Sequence, residues 1–476
     1  MDKLPSTLKE SHEVIRLLLN KLDEVSKRME TLEAECKRLS IENVQLKERL
    51  NNNSSNSSIP PSKSQKKKKN NRQSSGKASG GQAGHKGHYR ALLPSHEVDL
   101  FEKCRLPKNC ICGGAIKPSD DYQRHQVYEL PILKLQVTEY QLQKGCCKAC
   151  TQRHVASLPM GVTWGITGPR LTGFMSELVT KYGLSRREQK AFLKEQFQFS
   201  ISLGTVFNKQ KIVNAALQAP IEALLPIVKA SPCVHADETG HNRDGKSHWM
   251  WGFISNSAAF FSIHPSRGKK ILRSLMADFQ NILVSDRYAA YNLFDSSQRQ
   301  LCWAHLKRDF TKLAEKDNKI IAQIGRNLLA CESELFKIWH EFRLEKLSRD
   351  ELLRQIKPIR QRVGELLEQG SYTDPTLKAV RFCKNLLESF NALWTFSEYE
   401  DVEPTNNHAE RSLRPSVIWR KKYFCTRSDY GTEYVSRSAS LHVTCKLQKK
   451  SSFQFLCALL QNDFSQIPTS AQLLMV

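Results

Sequence analysis

PCVHADETG (232–240) is the stretch that decides the fold. A short apolar lead-in, Cys233 and Val234, runs into two adjacent carboxylates, Asp237 and Glu238. Acids at the end of a buried strand either face water in a turn or hold something positive. NILVSDRYAAY (281–291) repeats the arrangement, with Ile282, Leu283 and Val284 leading straight into Asp286. Between them lie two further strand-like runs, HWMWGFIS (248–255) and AAFFSIHP (258–265), and a helix, KKILRSLMADF (269–279). RQLCWAH (299–305) reads as a fifth short strand. Three strands, a helix and a further strand make an α/β order. Asp237 is expected to end the first strand and Asp286 the fourth. Trp249 and Trp251 alternate on one strand face and read as core.

Working outward, residues 311 to about 400 carry helical periodicity, with Ile320, Ile324, Leu328, Leu335, Ile338 and Trp339 on the apolar side. EPTNNHAERSLRP (403–415) then opens another helix, with Asn407 in the N-cap role and Glu410 in the first turn. If strands one and four are neighbours, Asp237 and Asp286 sit side by side at one edge. Two carboxylates that close repel unless a cation lies between them. Mg²⁺ is the natural ion, being hard, oxygen-seeking and able to exchange waters for phosphate. Glu410 is the third acid that would complete a two-metal clamp. For any one of these acids alone a turn or helix cap is the better reading; the set favours metal.

The 476-residue chain has 72 Lys and Arg against 48 Asp and Glu, a net charge of +24. Such an excess predicts a polyanionic partner, with nucleic acid ahead of an anionic membrane surface. No apolar run is long enough to span a bilayer, and MDKLPSTLKE lacks the core of a signal peptide, so a cytoplasmic, nucleoid-associated protein is expected.

Residues 13–50 carry a 3-4 repeat. Ile15, Leu22, Met29, Cys36, Asn43 and Leu50 take one seam position, and Leu18, Val25, Leu32, Leu39 and Leu46 the other. This predicts a coiled coil, with Asn43 favouring a parallel homodimer in register. Residues 51–90 are Asn, Ser, Gly and Lys, with KKKK at 66–69, and read as a disordered basic linker that can lie on a phosphate backbone.

Residues 91–160 hold NCICGG (109–114) and KGCCKAC (144–150). Cys147 and Cys150 have the C-x-x-C spacing that lets two thiolates share a metal, and Cys110 and Cys112 are a tighter C-x-C pair. Four thiolates from two knuckles suit a structural Zn²⁺, with Cys104 and Cys146 as substitutes. Residues 161–225 are helical. LSRREQKAFLKEQF, a break at QFSIS and SLGTVFNKQKIVNAAL fit a helix-turn-helix, with Thr205, Asn208, Lys209 and Lys211 as DNA readers, or a plain helical bundle. Cys302 and His305 form C-x-x-H after the second acid, either an accessory pair or a core cysteine beside a turn histidine. Arg411 and Arg414 flank Glu410 at helical spacing and could hold a DNA phosphate. Residues 441–476 form a basic, partly helical tail.

HADETG (235–240), SDRYAAY (285–291), CWAHLKRDF (302–310) and NNHAERSLRP (406–415), in this order, resemble the DDE transposases of the bacterial insertion sequence 66 family. GGQAGHKGHYR (80–90), the cysteine knuckles, the leucine seam and FCTRSDYG (424–431) with SLHVTCKL (440–447) are similar to that family's layout. The resemblance implies an RNase H-like catalytic domain over 226–440 with a helical insertion before the last acid. It implies Asp237, Asp286 and Glu410 as the Mg²⁺-binding triad, double-stranded DNA as partner and element-encoded accessory proteins as further partners. In Cys302 and His305 it suggests a pair that arranges the site or contacts DNA.

Overall fold

The computed structural model describes residues 7–53, 56, 84–87, 90–159, 162, 164–373 and 378–461. Most of the basic linker, including its lysine run, and the tail beyond 461 lie outside the described residues. The chain divides into two compact units. One holds residues 68–141 and 191–200, and the other holds the remainder, including the main sheet.

The main sheet has five strands: β1 (Cys233–Arg243), β2 (Lys246–Ile254), β3 (Ala259–His264), β4 (Ile282–Ser285) and β5 (Arg299–Leu301). Their order is β3-β2-β1-β4-β5. The first three form an antiparallel meander, while β4 runs parallel to β1 and β5 parallel to β4. Asp244 and Gly245, both at positive φ (49° and 75°), make the two-residue turn from β1 to β2. That is the backbone an Asp-Gly pair favours in a tight hairpin.

Twelve helices are named here in chain order: α1 (Leu8–Asn51), α2 (Pro169–Thr180), α3 (Arg186–Phe197), α4 (Leu203–Ala216), α5 (Lys269–Met276), α6 (Trp303–Ala314), α7 (Lys319–Arg343), α8 (Arg349–Ser371), α9 (Lys378–Glu388), α10 (Asn407–Tyr423), α11 (Asp429–Leu447) and α12 (Ser452–Leu460). No single described helix is long and apolar enough to cross a membrane.

The period-2 alternation of the strands sorts the helices onto two faces. Cys233, Ile282, Val284 and Leu301 pack with Trp303, Phe310, Leu328, Leu335, Ile356, Val363 and Cys383 of α6 to α9. Met250 and Ile254 of β2 pack with Phe261 of β3, Ala409 and Leu413 of α10 and Val443 of α11. Because His235 pairs with Ile254 and with Val284, these two cores share one face of the sheet. Val234, Ala236, Trp251, Phe253 and Leu283 point the other way, into a core with Val213 of α4, Leu272 of α5, Leu441 of α11 and Phe455 of α12. Trp251 is fully buried there, as its place on the strand implies.

The α/β reading holds, with local differences. Asp237 does not end β1; the strand continues to Arg243 because β2 pairs with it throughout. RQLCWAH is a strand only over Arg299–Leu301; Cys302 caps α6, which brings the helical segment forward to Trp303. The helix carrying Glu410 is capped from Asn406, not Asn407, and the Asn406 side chain makes no capping bond. Along α1 the seam residues Leu18, Val25, Leu32, Leu39 and Leu46 are exposed, between 49% and 59%.

Candidate active site

Asp237 and Asp286 meet through strand register. His235 of β1 is paired with Val284 of β4, and each acid lies two residues further along its own strand direction. By alternation both side chains belong to the face shared by α6 to α10, and Glu238 belongs to the opposite one. Asp286 follows β4 directly and its Oδ1 accepts the Tyr288 N–H at 2.8 Å. The Asp237 Oδ1 accepts the Glu238 N–H at 2.9 Å.

Glu410 stands in the first turn of α10, where the helix dipole favours a negative charge. Its Oε1 lies 3.6 Å from His305 Nε2 and 3.6 Å from an Arg308 guanidinium nitrogen, both on α6. That oxygen is buried and has no hydrogen-bond partner among the described residues.

A buried clip joins these elements. Asn406, 1% exposed, donates its amide to the Ala236 carbonyl at 2.7 Å, and its Oδ1 lies 3.1 Å from His235 Nδ1. Its backbone N–H donates to the Cys302 sulfur at 3.1 Å, and the Cys302 N–H donates to Ser285 O at 2.9 Å. The first residue of α6 is tied in as well, through Trp303 N–H to Pro404 O at 2.9 Å. Three segments distant in sequence are thus fastened within two residues of Asp237 and Asp286 and four of Glu410.

The electrostatics follow from this crowding. Burial pushes the Asp237 carboxyl well above the usual range, and the charges of Glu238, Asp286 and Glu410 push it the same way. Glu238 rises to about 7, first through burial and then through Asp286, although the Tyr291 hydroxyl donates to it at 2.8 Å and Arg267 lies 3.8 Å away. His305 is held below its usual value by burial and by Arg308. Among the described residues no group of three or more His, Cys, Asp or Glu side chains is gathered tightly enough to hold a metal unaided.

Residues 165–434 match the family model described as "Transposase IS66 family". The chain belongs to the IS66 transposase family. A family of unknown function (DUF6444) matches residues 4–91 of this IS66-family chain. Two relatives come from Sinorhizobium fredii (strain NBRC 101917 / NGR234). The uncharacterized protein y4qI is 26% identical over 318 residues, 60% of this chain and 57% of the relative. The uncharacterized protein y4hP is 22% identical over 382 residues, 72% of this chain and 68% of the relative. The chain therefore spans little more than half the length of the first.

The other expected sites of the IS66-family chain have distinct surroundings. Cys302 is buried, its sulfur occupied by Asn406 and its thiol pushed up to about 11 by burial, so it positions the clip while His305 alone turns to Glu410. Arg411 and Arg414 are exposed on α10. On α4, Asn208 and Lys211 are exposed, and Thr205 donates its backbone N–H to the Ser202 cap. Lys209, expected as a reader, turns inward and is 8% exposed, with burial lowering its pKa.

Each cysteine pair occupies the turn of a small hairpin. Cys110 and Cys112 lie inside the Asn109–Ala115 bridge, and Cys147 and Cys150 follow Lys144–Cys146, which pairs with Arg153–Val155. Hydrogen bonds from the Gly114 backbone and from Cys110 lower the Cys112 thiol, and the backbone of Cys150 and Ala149 lowers Cys147. Turns that aim backbone N–H groups at sulfur favour thiolate, the form that ligates zinc.

Sequence reasoning missed Asn406 and Arg308. The doubled Asn-Asn at 406–407 was the available signal for the first, and the (i, i+3) spacing of His305 and Arg308 on one helix face for the second.

Proposed function

We propose that this chain is a transposase. It binds the terminal inverted repeats of its insertion sequence, cuts a DNA strand in a metal-dependent reaction and transfers the freed 3′-hydroxyl to target DNA. The observation that carries the reading is the matched placement of Asp237 on β1 and Asp286 just past the end of its parallel neighbour β4, with Glu410 on α10, which packs on the same face. The order β3-β2-β1-β4-β5, with three antiparallel strands followed by two parallel ones, supports an RNase H-like catalytic domain carrying a helical insertion.

The residues fit a divalent cation. A raised Asp237 and a buried, unbonded Glu410 oxygen are both relieved by positive charge. Mg²⁺ takes few carboxylates and fills its remaining positions with water and phosphate, so an all-protein cage is not required. Two bound Mg²⁺ ions would supply charge neutralisation at the attacking and leaving oxygens. The chain's own part is to hold and orient. Asp237 and Asp286 are fixed by the sheet, Glu410 by the Asn406 clip, and Arg308 adds positive charge beside the scissile phosphate. Arg411 and Arg414 grip the flanking backbone. No covalent enzyme intermediate is needed, because the task is to align two oxygens in line with phosphorus.

The remaining parts follow from the same reading. The knuckles hold a structural Zn²⁺, the α3–α4 region with Asn208 and Lys211 recognises element ends, and the α1 seam pairs two protomers. Element-encoded accessory proteins are further partners, and the site of action is the cytoplasmic nucleoid.

The test is a nicking assay on the DNA flanking the gene, with purified protein and Mg²⁺, beside Asp286→Ala and EDTA controls. A 3′-hydroxyl end at a fixed position, absent in both controls, with strand-transfer product, is expected. Cleavage without joining would make the chain a nuclease. Tight DNA binding without cleavage would make it a binding protein.

A further inference from the structure

The segment that opens with Asp286 passes from one face of the sheet to the other. Asp286 belongs to the face shared by α6 to α10, whereas Tyr291, in the short 3-10 turn Ala289–Leu293, is fully buried in the core that holds Trp251. The aim of the Asp286 carboxylate follows this backbone, because its Oδ1 is held by the Tyr288 N–H at 2.8 Å. Whatever fixes residues 286–292 therefore fixes one acid of the candidate site.

Two charged side chains hold the segment from the far face. Arg299 of β5 is paired with Leu283 of β4, so its side chain shares the face of the Trp251 core. It is 3% exposed. Nη1 donates to Asn292 Oδ1 at 2.8 Å, and Nη2 donates to the Asp286 carbonyl at 3.3 Å. One guanidinium thus ties the two ends of the segment together. Glu238 of β1 is paired with Trp251 itself, and its side chain is 4% exposed. Its Oε2 accepts the Tyr291 hydroxyl at 2.8 Å, and the Tyr291 N–H donates to the Tyr288 carbonyl at 3.0 Å. Hydrogen bonds and two tyrosine residues therefore link Glu238 to the Asp286 carboxylate. Arg267 braces the same place, 4.3 Å from the centre of the Tyr288 ring and 3.8 Å from Glu238 Oε1.

Burying a guanidinium is unfavourable unless hydrogen bonds offset its lost hydration, and a well-packed apolar side chain often serves stability as well. Burial lowers the Arg299 pKa to about 10, so it stays charged at neutral pH, and the Asp286 charge favours that state. Its Nε has no hydrogen-bond partner among the described residues. The bonds that its side chain does make both go to residues 286–292. Setting the course of that segment accounts for a charge in this place.

We propose that Arg299 and Glu238 are positioning residues of the candidate metal site, which fix the 286–292 segment from behind the sheet and so set the direction in which Asp286 offers its carboxylate to a divalent cation. The proposal rests on the metal site of the transposase reading above. Groups that orient metal ligands are worth about 10–100-fold in metal affinity.

The experiment titrates the full chain with Mn²⁺, with and without duplex DNA, and reads free Mn²⁺ by electron paramagnetic resonance. Asp286→Ala defines the uptake that depends on the acid. Arg299→Lys keeps the charge but lacks the fork that reaches both acceptors. Asn292→Ala removes one of those acceptors at an exposed position, where folding is not at stake. Glu238→Ala removes the acceptor for Tyr291, and Glu238→Gln removes the same charge while keeping an acceptor. Arg299→Lys and Glu238→Ala are expected to weaken the Asp286-dependent uptake about tenfold. Asn292→Ala should weaken it less, and should have no further effect on top of Arg299→Lys. Glu238→Gln should restore most of the affinity lost in Glu238→Ala. Duplex affinity, read by anisotropy, should stay at the wild-type level, and melting curves check the fold.

Wild-type Mn²⁺ affinity in Arg299→Lys and Asn292→Ala overturns the role of Arg299 and leaves the transposase reading standing. Equal loss in Glu238→Gln and Glu238→Ala makes the effect one of charge and overturns the role of Glu238. Wild type that takes up Mn²⁺ through Asp286 but cuts no DNA overturns the transposase reading, while the variants still decide the positioning role. No Asp286-dependent uptake in the wild type, with or without DNA, overturns both.

Discussion

Asn406 donates its side-chain amide to the carbonyl of Ala236, 2.7 Å away, so the cap of the helix that carries Glu410 is fastened to the residue before Asp237. Removing that amide takes away the bond from the cap of α10 to the Ala236 carbonyl and the partner of His235 Nδ1. Asn406→Ala is expected to lower strand cleavage ~10–100-fold, as loss of a group that orients metal ligands does. It should also raise the Mg²⁺ concentration for half-maximal rate and cost roughly 1–3 kcal/mol of stability. A Mg²⁺ titration of the rate beside a melting curve checks this; a stability loss with an unchanged Mg²⁺ requirement would make the clip merely structural.

Neutralising the acids separates chemistry from binding. Asp237→Asn, Asp286→Asn and Glu410→Gln should each lower cleavage by at least ~10²-fold while DNA affinity is retained. Asp237→Asn should in addition raise the melting temperature in EDTA, because it removes a charge opposed by burial, Glu238, Asp286 and Glu410. A lower melting temperature in EDTA would show that the carboxylates are not in conflict.

The pH dependence has a definite sign. Glu238 titrates near 4.5 when unperturbed and at about 7 in the metal-free fold. A raised value means that its contribution to stability is fully present below about 4.5 and is lost as pH rises through about 7. Chemical denaturation in EDTA should show stability falling across that window, and Glu238→Gln should flatten the fall. If the two profiles coincide, Glu238 does not titrate there.

The knuckles predict bound zinc. Purified protein should carry one zinc ion per chain by elemental analysis, and Cys147→Ser or Cys112→Ser should remove it while the acids remain able to bind Mg²⁺. Zinc content unchanged in Cys147→Ser would move the site elsewhere.

The exposed α1 seam predicts a dimer. Leu32, 55% exposed on the isolated chain, should be covered in solution, and Leu32→Asp should convert dimer to monomer by light scattering. A wild-type monomer would end the coiled-coil proposal.

The placement of two acids of the candidate site was legible because alternation is a strict geometric rule. Once PCVHAD and NILVSD are read as strands, Asp237 and Asp286 follow. The strand end was missed because Thr239 and Gly240 look like a turn, yet β2 supplies a partner for every residue to Arg243. Polar composition there does not mean loss of pairing, and His241 is buried. Asn406 was misread by one position because its amide is spent on β1, a contact made across the fold that helix-cap patterns do not encode. Lys209 was misjudged for a related reason: a basic residue on a helix is assumed to face water, and only packing decides otherwise.

The clip also sets when the site can exist. More than a third of the chain separates Asp237 from Glu410, and Asn406 is made just before the third acid. A chain still leaving the ribosome with its sheet and insertion formed carries two acids and an open gap where α10 belongs. Under the proposed chemistry, such a nascent chain, which already holds every basic residue before α10, can settle on nearby DNA without being able to cut it. On that reading, the contact that closes the candidate site forms late in synthesis, after the strands and the insertion and shortly before α11 and α12 pack onto the sheet, and nearby DNA is spared until it does.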